Sequence, residues 1–369
     1  EPLAKYLGPK WAEQQVFLSG TAASPQLEPA RRPVTARDCL THTAGLVYPG
    51  LLLFHGAPLS VPEQIMIGRG LKLPLDHASA DALAKISLQQ FLDLYAEVPL
   101  QFHPGTALEY GMGHLVIGRV IEVASGMSLK DFMREEVLNP LGCSDAAGWQ
   151  PKNKNDLQPL YAFASALQPM PTVDYASGLV DVATLEPASQ HLGTMHVNDA
   201  FRETGAAFFG DGQLVATTDD CLRLTEMLTR RGRTAEGERL LSPAMAKLLM
   251  GNCLPEGKAL AWNSWGRSAL GLGDAHCGPM KADLVPHGVV GYGLGGMTWL
   301  PGAVHQVGSI ACQPGAYHWQ GIAGTMIQAD PANELSVVFM SQCLNALNQP
   351  ELGPVGLVMQ AVYQSLDDA

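Results

Sequence analysis

The sequence predicts an α+β protein, and three observations carry that expectation. After the tyrosine at position 110, apolar residues Leu115, Val116, Val120 and Ile121 recur at the spacing of one buried helix face. Residues 322–329 and 335–341 instead read as short strands, joined by the turn Asp330-Pro331-Ala332-Asn333. The chain has 369 residues, 47% of them hydrophobic, enough to bury a large core.

Taken in order, the elements announce themselves mostly by their ends. Thr35-Ala36-Arg37-Asp38 has the form of a capping box, with the shorter Asp38 in place of glutamate. Residues 47–86 mix glycine, proline and apolar residues without a sustained period, so a long insertion bordering a cleft is expected. Ser87 with Gln90 opens a helix that runs through Val98 and ends at Pro99. Pro104-Gly105-Thr106 is a turn, and Tyr110 then stands where loop meets helix, a place from which a rigid side chain can face a cleft. Read alone, Tyr110 is an ordinary core aromatic with its hydroxyl satisfied. Ser128 caps a further helix whose stripe is Leu129, Phe132, Met133 and Val137, stopped by Pro140 and Gly142.

Residues 156–204 form a second irregular stretch; His191 and His196 lack a metal-ligand spacing and read as solvated loop residues. Thr218, Asp219 and Asp220 suit a helix start by capping and dipole rather than as ligands, and Gly232 suits the helix end. Ser242-Pro243 starts another helix. Residues 354–366 read as a closing helix packed on the C-terminal sheet.

Composition narrows the function. A net charge of −12, from 23 basic and 35 acidic residues, argues against nucleic acid or an anionic membrane as partner. The basic cluster Arg230, Arg231 and Arg233 complements a helix C-terminus. Seven cysteines are scattered with no Cys-x-x-Cys pair, which disfavours a disulfide framework or zinc site and favours a reducing compartment. No apolar run is long enough to span a bilayer. The first residue is Glu1 rather than Met, which leads to the expectation of a processed, trimmed or partial product. Gly142-Cys143-Ser144-Asp145-Ala146 approaches a nucleophile elbow but lacks the last glycine and follows a helix instead of a strand.

The ordered motifs resemble the serine β-lactamase and penicillin-binding-protein superfamily, most closely its esterase and acyltransferase branch. Pro-Gly-Thr followed by Glu109-Tyr110 and a helix containing GRVIE resembles the tyrosine motif, although Gly111 and Met112 stand where that branch has serine and asparagine. LTHTAGL at 40–46 resembles LLTHTSGL, which implies that His42 shapes a turn beside the site and is not itself catalytic. NPLGCSDA at 139–146, the passage at 208–228 and GYGLG at 291–295 fall in family order. GAYHWQGIAGT at 315–325 resembles the third motif, with Trp319 and Gly321 matching and Gln320 replacing a glycine; Ile322 falls where the branch supplies a backbone N–H to the oxyanion hole.

The resemblance implies a single unit over 1–369, with an antiparallel sheet flanked by helices, a helical region at roughly 30–205 and a sheet region at roughly 206–369. It implies an acyl-serine mechanism without metal or other cofactor, with Tyr110 relaying protons and Trp319, Gln320, Gly321 and Ile322 bordering the substrate and oxyanion cleft. No lysine here has serine three residues before it, so the Ser-x-x-Lys nucleophile is expected upstream of Glu1, and with it elements that cover a sheet edge. A partner chain or a homo-oligomer covering that edge is the alternative. Two functions follow: a serine hydrolase or acyltransferase acting on a small acyl substrate, or a catalytically inactive structural or assembly subunit.

Overall fold

In the computed structural model, residues 1–48, 59–71, 87–144, 161–163, 179–181, 214–260, 281–302, 306–307, 310–311, 313–321, 324–344 and 354–367 are described. The chain opens with helix α1 (Ala4–Leu7) and a hairpin of β1 (Gln15–Thr21) and β2 (Ser24–Pro29). The sequence expectations contain no such hairpin. Val16 is the only buried residue of the two strands, so no alternation marks them. Helix α2 (Ala36–Leu40) begins at the expected box: Thr35 Oγ1 accepts from Asp38 N–H at 3.3 Å, and Asp38 Oδ2 accepts from Thr35 N–H at 2.9 Å.

The stretch expected to be irregular contains helix α3 (Val61–Gly68), entered by a Ser60–Glu63 capping box with proline in its first turn. That box was the available signal; the weak apolar period hid it. Helix α4 (Leu88–Tyr95) starts at the predicted Ser87–Gln90 box and stops three residues short of Val98. Strand β3 (Ala107–Glu109) then leads through Tyr110 to α5 (Gly113–Ser125), which ends on Gly126 in the left-handed conformation. Helix α6 (Leu129–Phe132) passes into a π-helical turn, Met133–Leu138. The wider turn carries Leu138 into the core and leaves Val137 half-buried, which a strict 3.6-residue reading misses.

Strands β4 (Tyr161–Phe163) and β5 (Leu179–Asp181) follow, then helices α7 (Thr218–Thr229) and α8 (Pro243–Met250). The cap of α7 is Thr217, bonded reciprocally with Asp220, one residue before the predicted start. The remaining elements are β6 (Ala259–Leu260), β7 (Lys281–Val285), β8 (Val290–Tyr292), β9 (Met297–Trp299), β10 (Gln306–Val307), β11 (Ile310–Ala311), β12 (Tyr317–Gln320), β13 (Met326–Asp330), β14 (Leu335–Phe339), β15 (Cys343–Leu344) and helix α9 (Pro354–Asp367).

The main sheet is antiparallel with order β14-β13-β12-β9-β8. On one face Tyr317 and Ala329 pack with Met227, Leu228, Ala246 and Met250 of α7 and α8, and Thr229 Oγ1 lies 2.8 Å from Ser336 Oγ. On the other, α9 brings Val355, Met359 and Tyr363 onto Met326 and Val337. The Tyr363 hydroxyl accepts from Gln328 and donates to Asp330, which ties these two buried side chains to α9. A smaller antiparallel sheet has order β3-β7-β6, and β4 joins antiparallel β5 to parallel β15. A separate helical core surrounds Trp11, Leu92, Tyr95, Leu100, Leu115 and Val116. Among the described residues no helix is long and apolar enough to cross a membrane.

Candidate active site

Tyr110 occupies the corner between β3 and α5, and its half-buried ring faces the sheet. It stacks on Trp319 of β12, with centroids 5.8 Å apart and planes 18° from parallel. Two motifs far apart in the chain therefore meet where helical core and sheet adjoin. Tyr48 stacks on Tyr110 as well, at 5.9 Å, and Tyr292 of β8 meets Trp319 edge-on at 5.6 Å. Tyr48 is placed by its neighbour: the Tyr95 hydroxyl of α4 donates to Val47 O at 2.7 Å.

The backbone around Tyr110 is moulded against the turn after α2. Glu109 N–H donates to His42 O at 2.9 Å, and Gly111 N–H donates to His42 Nδ1 at 3.2 Å. A Cβ at Gly111 would stand 1.9 Å from Leu46 O, so only glycine allows this approach. Met112 turns inward, 1% exposed, into the helical core. The position that the resemblance equips with a cleft asparagine thus carries a core side chain.

His42 and His114 flank this corner. The His42 ring centroid lies 4.4 Å from that of Tyr110 and 4.9 Å from that of His114. Burial, and after it the neighbouring His114, push the His42 pKa well below the ordinary histidine value. Burial lowers His114 to about 4. Both rings are therefore neutral near pH 7. The turn after β8 docks beside them: Gly295 N–H donates to Leu40 O at 2.9 Å, and Tyr317 donates to Leu294 O at 3.1 Å.

Of the other residues singled out by sequence, Gln320 pairs across strands with Met326, which packs under α9, so register puts it on the face opposite Trp319. Gly321 begins a tight turn, closed by its N–H donating to Thr325 O at 2.8 Å, and a Cβ there would crowd Thr325 Oγ1. Ile322 lies outside the described residues, as do His191 and His196. Sequence reasoning missed Tyr48, His114 and Tyr292. The available signals were an aromatic two residues after LTHTAGL, a histidine four residues after Tyr110, and the tyrosine inside GYGLG. Among the described residues no cluster of three metal-ligating side chains occurs.

Comparison with known proteins agrees with this architecture. The chain is 27% identical to the lovastatin esterase of Penicillium rubens over 297 residues, covering 80% of this chain and 62% of that protein. The chain thus spans less than two-thirds of that relative's length. EstCE1, described as a hydrolase with promiscuous acyltransferase activity, superposes with a TM-score of 0.62 at 22% identity, covering 98% of this chain and 77% of that one. The simvastatin synthase LovD from Aspergillus terreus superposes with a TM-score of 0.65 at 18% identity, covering 100% and 78%. These two likenesses establish a β-lactamase/transpeptidase-like fold. The family model described as Beta-lactamase matches residues 1–352, and the chain belongs to the beta-lactamase family.

Proposed function

We propose that this chain forms the greater part of a serine hydrolase or acyltransferase whose Ser-x-x-Lys nucleophile lies upstream of Glu1, and that it acts on a small acyl substrate. The observation that carries the reading is the stacking of Tyr110 on Trp319 at the junction of helical core and sheet. In the proposed chemistry the lysine, on the same helix face as the serine, takes the hydroxyl proton as the oxygen attacks the acyl carbonyl. Tyr110 then relays that proton, giving its own to the leaving group and taking one from the lysine, and backbone N–H groups at the serine and near Ile322 hold the oxyanion. Hydrolysis or transfer to an alcohol or amine resolves the acyl-enzyme. The scheme calls for no metal or cofactor. The likeness to a lovastatin esterase supports the ester-cleaving direction.

The second reading is a catalytically inactive structural or assembly subunit, favoured by Met112, whose side chain is spent in the core where the resemblance calls for a cleft asparagine. Incubation with a fluorophosphonate or penicillin probe, followed by intact mass, separates the two. The chain as it stands is expected to form no stoichiometric adduct in the cleft, since it holds no Ser-x-x-Lys. A longer product that carries that motif is expected to label at its serine; failure to label there favours the inactive subunit. An adduct on the present chain, abolished by Tyr110→Phe, would place the nucleophile elsewhere.

A further inference from the structure

We infer that His42 is the positioning residue of Tyr110, holding the backbone N–H groups of the residues before and after it through two different acceptors. The backbone carbonyl of His42 takes the N–H of Glu109 and the ring Nδ1 takes the N–H of Gly111, so the tyrosine is suspended between two bonds to one residue. The ring also lies against Tyr110 at 4.4 Å between centroids, which limits how the phenol can tilt. This deepens the proton-relay reading of Tyr110 proposed above and rests on it for its catalytic meaning.

The local backbone is built for the task. His42 has φ 54°, a left-handed conformation that the Cβ of an ordinary residue disfavours. Neighbouring bonds hold it there: Thr43 N–H donates to Asp38 O at 2.8 Å, and Thr41 and Thr43 hydroxyls meet at 2.9 Å. Strain kept by the surroundings beside a cleft is a feature of sites that require fixed geometry.

The clamp also dictates a proton position. An imidazole nitrogen that accepts a hydrogen bond cannot carry a proton, so the proton sits on Nε2. His42 is 3% exposed, and the space it shares with Cys39, Ala44, Leu46, Glu109, Gly111 and Gly113 leaves no room for a water molecule. The titratable neighbours are Tyr110, His114, Tyr292, Cys39 and Glu109. Protonating Nδ1 would remove the acceptor for Gly111 and strand a charge where water does not reach.

Long-range nitrogen NMR of the chain with labelled histidine reads this directly. The expected result is a neutral His42 in the Nε2–H form from pH 8 to pH 5; an Nδ1–H form or a charged ring in that range overturns the proposal. His42→Asn retains a side-chain acceptor and tolerance of the left-handed backbone, whereas His42→Ala retains neither. Amide exchange at Glu109 and Gly111 is expected to quicken about tenfold in H42A, the effect of losing roughly 1.4 kcal/mol of hydrogen bonding, and to return toward wild type in H42N. The titration midpoint of Tyr110 is expected to move in H42A and to be restored in H42N. A uniform rise in exchange across the chain with the Tyr110 midpoint unmoved would reduce His42 to a general fold residue. None of these readouts needs a turnover, so they stand or fall separately from the labelling experiment that tests the proposed reaction.

Discussion

At the scale of single residues, the corner at Tyr110 joins chemistry to sterics. Tyr110→Phe removes one hydroxyl and leaves the stacking on Trp319 intact. In a product carrying the proposed nucleophile, it is expected to slow fluorophosphonate labelling about a hundredfold or more, the size of a lost proton-transfer group, with melting temperature little changed. Equal labelling rates would remove Tyr110 from the relay. The next position tests the backbone. Gly111→Ser restores the residue found in the esterase branch, but its Cβ would press on Leu46 O at 1.9 Å. A loss of about 1–3 kcal/mol in denaturant unfolding is expected, the usual cost of overpacking. Unchanged stability would mean that the turn after α2 moves aside freely.

At the scale of elements, the helices are fixed by their ends. The capping box of α2 is reinforced: Arg32 donates two bonds to Asp38, at 2.6 and 2.7 Å, and the Thr35 hydroxyl donates a third at 2.6 Å. Burial by itself would raise the Asp38 carboxyl, but the Arg32 guanidinium and the Thr35 donors outweigh it and hold the pKa below the usual value. A carboxyl depressed in the folded state stabilises above its unfolded pKa, and that stability is lost as pH falls through the folded one. Asp38→Asn is therefore expected to cost about 1–3 kcal/mol at pH 7, the worth of charge-assisted hydrogen bonds to a half-exposed arginine. The gap from wild type should narrow as pH drops below about 4. A gap that stays constant down to pH 3 would contradict the linkage. Because α2 leads directly into His42, the same variant is expected to loosen the clamp on Tyr110.

At the scale of the whole molecule, β14 and β8 bound the main sheet among the described residues. Apolar side chains are exposed on α9, at Leu357 and Val358, and on the separate β1–β2 hairpin, at Leu18 and Leu27. Open strand edges and exposed apolar side chains invite association. The chain alone is expected to self-associate with concentration in analytical ultracentrifugation. A single monomeric species throughout the micromolar range would count against a covering partner or oligomer.

The sequence by itself determined the α+β class, the family, and most helix starts. It could do so because a cap is local: Thr35 with Asp38, or Ser87 with Gln90, closes its hydrogen bonds within one turn. It also singled out Tyr110 and Trp319, through motif order. What it could not supply was anything set by approach between distant segments. The β1–β2 hairpin and the π-turn before Leu138 left no regular period to read. The face of Gln320 depended on cross-strand register with Met326. The two-sided hold of His42 on Tyr110 depended on a turn and a strand-to-helix corner packing to within a backbone's width, a distance that only the folded chain sets.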